Sequence, residues 1–261
     1  MPDLRSLLVG AAAVAFVAGG AGIAAAAVAD QPGPHVIGGE AVTSAPSFIA
    51  AVLDREGQSC GGTLIAPSWV VTAAHCDWPE PVQVRVGSVS WKSGGQLRDV
   101  AEFIRYPSSG PGRDLALIRL DRPTDLAPAT IAAQVEPGAD VRMLGWGDVC
   151  EAHVDEACSE APAILHKLDT KLTRAEDCGK TYGGFAAGQE WCVQARGESQ
   201  GCVGDSGGPL LIRAGQDWQV IGATSRDGDD DPLCGSGPGV WTNLLAHRAW
   251  ITETMRDHTG G

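Results

Sequence analysis

Residues 201 to 209 read GCVGDSGGP, a run that sets Ser206 among Gly204, Asp205, Gly207 and Gly208. A hydroxyl surrounded by such bare backbone has two readings. Gly, Ser, Asp and Pro are turn formers, so the run makes a plain surface turn. Alternatively, glycine lets the main chain come close to a ligand, and Ser206 is a nucleophile. A serine is weakly nucleophilic alone and needs a base, itself oriented by a third group. Of the six histidines, His153, His166, His247 and His258 stand among charged or polar neighbours and are read as solvent-facing. His75 differs, because it closes the apolar run VVTAAHC and is fixed by Cys76. Its alternative reading is a buried structural histidine. Asp114 opens the apolar run DLALIRL, where an aspartate that merely ends a turn is the alternative. Together the three side chains offer a base, a carboxylate to orient it, and a hydroxyl able to attack an acyl carbon.

Elements of short reach must bring such distant residues together. Apolar runs recur between turn clusters: SFIAAVL, GGTLIAPSWVVTAAHC, VQVRVGS, DLALIRL, VRMLGWG, PLLIR and WQVIGATS. Val84 and Val86 alternate with Gln83, Arg85 and Gly87, the pattern of a half-buried strand, whereas WVV and LLI read as fully buried strands. With 35 Gly and 16 Pro among 261 residues, the chain is turn-rich, and many short strands indicate an all-β barrel or sandwich. Only the tail resembles a helix, with Asn243 as N-cap and Leu244, Ile251 and Met255 at helical spacing over about 244–258.

A net charge of −13 argues against nucleic acid, whose binding draws on clustered Lys and Arg. Arg5 precedes an uncharged stretch, Leu7 to Ala29, ending in Ala27-Val28-Ala29. Residues 1–29 read as a secretory signal cleaved after Ala29, giving an extracellular protein with no stable membrane anchor. The run is long enough to span a bilayer, so an uncleaved anchor is the alternative. Its Ala-rich composition and the short stretch 30–35 (DQPGPH) behind it have a bacterial, actinobacterial cast. Eight cysteines, Cys60, Cys76, Cys150, Cys158, Cys178, Cys192, Cys202 and Cys234, fall as four sequence-local pairs without Cys-x-x-Cys spacing. Export makes them disulfides and not zinc ligands, with connectivity left open by spacing alone. No metal cluster and no cofactor motif stands out.

At this point the chain resembles the chymotrypsin-like, trypsin-fold serine proteases. VIGGE, CGGTLI, TAAHC, DLALIRL, GWG, CVGDSGGP and GPGVWTNL carry the likeness, spread from Val36 to the tail. The stretch GDSGG also satisfies the G-x-S-x-G elbow of α/β-hydrolases, but that fold needs the order Ser, acid, His, and here His and Asp come first. The resemblance implies two six-stranded antiparallel β-barrels, about 36–140 and 141–242, followed by the helix, with 36–261 as the protease domain. It implies a monomer acting on protein or peptide substrates, with protein protease inhibitors as possible partners. Hydrolysis would use His75, Asp114 and Ser206, with an oxyanion hole from the N–H groups of Gly204 and Ser206. It implies that Asp205 pairs with a new α-amine on Val36 after cleavage of residues 30–35, the alternative being a solvated turn residue. His35 stands before that cut where digestive zymogens carry Arg or Lys. The implied disulfides are Cys60–Cys76, Cys178–Cys192 and Cys202–Cys234, leaving Cys150 and Cys158 to close an extra loop. A further family disulfide is missing, with Val141 and Ile212 packing in its place. The segment from Val86 to Gln96 does not resemble the relatives' calcium loop. A catalytically inactive homologue serving as a binding protein is the competing function.

By the same likeness Gln200 lies on the floor of the S1 pocket, with Gly201, Gly239, Ser225, Arg226 and Asp227 on its walls. Neutral Gln200 lacks the charge that pairs with Lys or Arg, so the expected P1 preference is not strongly basic. Arg226 replaces the usual Trp of the substrate shelf. The loop DGDDDPLC is read as a solvated acidic loop, the alternative being attraction of basic residues from above the pocket.

Overall fold

The computed structural model describes residues 39–148, 162–180, 183–195, 200–229, 231, 233–234 and 236–258. The apolar runs become strands wherever both faces can be covered. β2 (Ile49–Leu53) is buried at all five positions, and so is β4 (Trp69–Thr72) at all four. β5 (Gln83–Val86) instead alternates, burying Val84 and Val86 while Gln83 and Arg85 face outward. With β3 (Gln58–Ala66), β6 (Gln96–Arg105) and β7 (Ala116–Leu120) they close a barrel in the order β2-β3-β4-β7-β6-β5, every pair antiparallel. Closure leaves no free edge.

The second group comprises β9 (Asp140–Gly145), β10 (His166–Lys171), β11 (Glu190–Val193), β12 (Pro209–Ala214), β13 (Asp217–Asp227) and β14 (Gly239–Asn243), in the order β10-β9-β12-β13-β14-β11. A bridge between Leu172 and Val193 returns this order on itself. The N–H of Thr173 bonds Cys192 O at 2.9 Å and that of Gln194 bonds Lys171 O at 2.9 Å, fastening the end of β10 to β11. The expected pair of six-stranded barrels is therefore present. Two short strands depart from the expected division of the chain. β1 (Glu40–Ala41) joins β10 of the second group, and β8 (Thr130–Ile131) lies parallel to β13.

Each group has its own apolar core. Ile49, Leu64, Val71, Leu117 and Ile118 fill the first; Val141, Met143, Leu210, Ile221 and Trp241 fill the second. Val141 is buried and Ile212 packs against the same cluster, so apolar contact occupies the place of the missing disulfide. Cys60–Cys76, Cys178–Cys192 and Cys202–Cys234 are bonded as expected. Cys150 and Cys158 lie outside the described residues, as do the stretches read as signal (1–29) and propeptide (30–35) and the start at Val36. α1 (Arg248–Asp257) begins later than expected. Asn243 ends β14, its side chain accepting from Leu245 N–H at 2.9 Å and donating to Gly188 O at 2.9 Å, so it caps a turn and not the helix. α1 lays Ile251 and Met255 against the first core.

Candidate active site

His75 sits in the 3₁₀ turn Ala74–Asp77 that follows β4. The Cys60–Cys76 disulfide ties that turn to β3. Asp114 lies just before β7, and β4 and β7 are paired, so one strand pair carries both residues to the same end of the barrel. There Asp114 Oδ1 accepts the His75 main-chain N–H at 3.1 Å, and Oδ2 bonds the imidazole Nδ1 at 2.8 Å. Oδ2 also accepts the Ser225 hydroxyl at 2.6 Å, and the Asp114 carbonyl accepts the Thr242 hydroxyl at 2.8 Å. Nδ1 must therefore carry a proton, which leaves Nε2 as the basic nitrogen.

Burial alone would lower the His75 pKa, but the hydrogen bond and charge of Asp114 outweigh it, and the pKa is raised above the ordinary histidine value. Burial would likewise raise that of Asp114; the bonds from His75 and Ser225 win, and its pKa is lowered. The imidazole is nevertheless 46% exposed, open to an incoming molecule.

Ser206 comes from the loop before β12. Its carbonyl accepts Gly61 N–H from β3 at 2.7 Å and lies 3.7 Å from Cys76 Sγ, the residue after His75. The Ser206 main chain is thus fastened to β3 of the first barrel and lies against the side chain of the residue that follows His75. The Ser206 hydroxyl itself makes no hydrogen bond among the described residues. Asp205, Gly207 and Gly208 donate their N–H groups to Cys202 O, Thr224 O and Asp205 O at 3.0, 2.8 and 2.9 Å. The N–H groups of Gly204 and Ser206, on either side of Asp205, have no acceptor among the described residues. Gly204 adopts φ +94°, and a Cβ there would lie 3.0 Å from Gly147 Cα, so only glycine holds this bend. Gln58 Nε2 donates to Gly204 O at 2.7 Å and fixes the peptide from behind, a contact the sequence did not announce.

Asp205 is buried and not a solvated turn residue. Its carboxylate accepts Gly147 N–H at 2.9 Å and Cys202 N–H at 3.0 Å. It presses so close on the GWG segment that a Cβ at Gly147 would fall 2.5 Å from its Cγ. Burial pushes the Asp205 pKa up to about 6 despite those two bonds, with Asp148 adding to the rise.

Gln200, Gly201, Ser225, Arg226, Asp227 and Gly239 line one cavity of about 160 Å³ together with Ser206. The residues expected around the pocket therefore do share one cavity. Gln200 is buried, its Oε1 accepting Gly201 N–H at 3.0 Å, and the Trp241 ring closes the cavity beside it. Asp227 and Asp231 are exposed, and Asp229 and Asp231 accept the N–H groups of Asp231 and Leu233, each at 3.0 Å, so these carboxylates brace their own loop. Asp230 lies outside the described residues.

Two histidines read as solvent-facing are buried, His166 and His247. His247 packs edge-on to Tyr106 at 4.9 Å, and burial lowers its pKa. His258 is exposed, and His153 lies outside the described residues. Sequence reasoning also missed Glu190, which is fully buried and accepts from Gly112 N–H, Ala186 N–H and Arg226 Nη1, each at 2.7 Å. Arg226 Nη1 reaches Ser225 Oγ at 3.3 Å as well, which makes a continuous chain from Glu190 through Ser225 and Asp114 to His75.

The sequence model of the family described as Trypsin matches residues 36–251. Kallikrein-14 of Homo sapiens is 33% identical over 237 residues, covering 85% of each chain. Trypsin of Phaedon cochleariae is 33% identical over 211 residues, covering 74% of this chain and 78% of its own. Among solved structures, neuropsin, a serine protease expressed in the limbic system of mouse brain, superposes with a TM-score of 0.72 at 30% identity, covering 83% of this chain and 98% of that one. These relatives are animal proteins, so the bacterial cast read from composition gains no support from them. Among the described residues, no helix is long and apolar enough to cross a membrane.

Proposed function

The chain belongs to the trypsin family and is a serine endopeptidase, and from that premise we propose that His75, Asp114 and Ser206 are its catalytic residues. Ser206 Oγ attacks the scissile carbonyl carbon while His75 Nε2 takes the hydroxyl proton. The electron pair of the C=O bond moves to oxygen, which the N–H groups of Gly204 and Ser206 stabilise. Collapse of the tetrahedral intermediate breaks the C–N bond, His75 returns the proton to the leaving amine, and a water repeats the sequence to free the acyl group. Asp114 holds the Nδ1–H tautomer and stabilises the imidazolium. The observation that carries this reading is the 2.8 Å His75–Asp114 bond beside a serine loop with two unused N–H donors.

The finer reading has three parts. The protein is exported, its stretch 1–29 removed as a signal. Cleavage after His35 frees the Val36 amine to pair with buried Asp205, relieving an otherwise unpaired charge. The P1 residue is not strongly basic, which the neutral Gln200 amide and the narrow cavity support.

Labelling with a fluorophosphonate probe tests the nucleophile: the expected adduct is on Ser206 and disappears in His75→Ala. An unlabelled form beginning at Val36 would instead be the inactive homologue. Cleavage profiling over a P1-varied peptide library tests the pocket, and overwhelming Arg or Lys selectivity would refute this preference.

A further inference from the structure

In a chain of net charge −13, the cleft beside His75 is walled by arginines. A cavity of about 400 Å³, lined by His75, Gly110, Pro111, Gly183, Ser225 and Arg226 among others, shares the last two with the smaller cavity that holds Ser206. A peptide that places its P1 side chain in the smaller cavity and its scissile carbonyl at Ser206 runs its preceding residues along Ser225–Arg226 through the larger one.

Arg226 is built in and not free to swing away. Nη1 donates to Glu190 Oε1 at 2.7 Å and Ser225 Oγ at 3.3 Å, and Nη2 to Gly184 O at 2.7 Å. Glu190 is 0% exposed against 25% for Arg226, so the carboxylate lies behind the guanidinium, out of a substrate's reach. Glu190 also satisfies the N–H groups of Gly112 and Ala186, which draws the loops on either side of the cavity around it. The guanidinium Nε–H and one Nη2 N–H have no acceptor among the described residues. A planar fork with two open donors matches a carboxylate.

The adjoining wall adds Arg105 and Arg113 around a cavity that again includes His75. Arg105 is paired with Asp77 at 3.0 Å. Arg113 donates to the Tyr106 hydroxyl at 2.9 Å and has no carboxylate partner among the described residues. Asp114 also faces this space, with His75 and Ser225 bonded to its carboxylate.

We propose that Arg226, seated on Glu190, makes the acyl-side subsite a reader of acidic residues, selecting Asp or Glu among the P2 to P4 positions. This rests on the reading of Ser206 as nucleophile and of the smaller cavity as the P1 pocket. The test is a fluorogenic peptide set with one accepted P1 residue and with Asp, Asn, Glu, Gln or Lys placed in turn at P2, P3 and P4. At one of these positions an acid should exceed its amide isostere about tenfold in kcat/KM, mainly through KM, since a single charge-assisted bond is worth that much. The gain should shrink as salt is raised. The double variant Glu190→Gln/Arg226→Gln removes both charges together and strands neither; it should bring the acid-to-amide ratio within about twofold. The salt response of the parent gives an answer even if that variant misfolds. A flat or Lys-favouring profile from an enzyme that a fluorophosphonate labels overturns this proposal alone, and an acid preference that survives the double variant overturns its assignment to Arg226. Absence of both labelling and turnover in the form beginning at Val36 overturns the functional reading and this proposal with it.

Discussion

The imidazole of His75 stands between two opposed influences, burial that favours its neutral form and a bonded carboxylate that favours the charged one. The carboxylate wins, and the consequence can be measured. In the proposed mechanism neutral His75 is the base, so kcat/KM should rise with pH through an inflection above the ordinary histidine value. Asp114→Asn removes the bond and charge that raise this pKa and leaves the burial that lowers it. The inflection should therefore move to lower pH, and kcat should fall by about 10⁴, the loss known for a chymotrypsin-type triad whose carboxylate is neutralised. A pH–rate series on both proteins checks the sign and the size together; an unmoved inflection would mean that Asp114 does not act on His75. At this scale the sequence was informative where chemistry is concentrated in short motifs. It said nothing of Glu190 or Gln58, because an acid in AAGQEWC or an amide in REGQSC acquires meaning only from what the fold buries beside it. Ser225 shows the intermediate case. Its place on the pocket wall was legible, whereas the bond from its hydroxyl to Asp114 needed coordinates.

Elements were legible in proportion to their burial. Runs such as IAAVL and WVVT became strands because nearly every side chain in them finds apolar cover. β1 and β8, with two residues each, carry no period to read, and their pairing with the second group is decided by tertiary contact. The start of α1 was misplaced for a related reason. Asn243 is a favoured cap type, but the same side-chain chemistry serves a turn equally well. The loop bearing Ser206 is an element in its own right, anchored at one end by Cys202–Cys234 and at the other by β12. That disulfide spans 32 residues and joins two walls of the Ser206 cavity. Replacing both cysteines by Ala should cost about 2–4 kcal/mol by loop-closure entropy. Urea unfolding checks the loss, and P1 profiling of the same variant should show blunted discrimination because Cys234 no longer holds its wall in place. Unchanged selectivity with reduced stability would confine the bond to a structural role.

At the scale of the whole molecule, Asp205 is buried where the loop before β12 meets the GWG segment, and the partner proposed for its charge, the Val36 amine, belongs to a distant part of the chain. Asp205 titrates at about 6, against 3.8 for an ordinary aspartate, so without a cationic partner the folded state holds its proton more tightly than the unfolded state does. The sign follows directly. The stability associated with this group is complete below pH about 4 and is lost as pH rises through about 6, a difference of roughly 3 kcal/mol. An ammonium group on Val36 would offset that loss by favouring the carboxylate. Two forms should therefore diverge, one beginning at Asp30 and one at Val36. Near pH 4 their urea midpoints should nearly coincide. Between pH 4 and 7 the Val36 form should become the more stable by up to roughly 3 kcal/mol, and the gap should close again as the amine deprotonates at higher pH. Asp205→Asn should erase the divergence at every pH, and activity should appear only in the Val36 form, since the same loop presents the Gly204 and Ser206 donors. Equal stability and equal activity of the two forms across this range would separate the N-terminus from the site and leave Asp205 as a burdened core residue held by Gly147 and Cys202 alone.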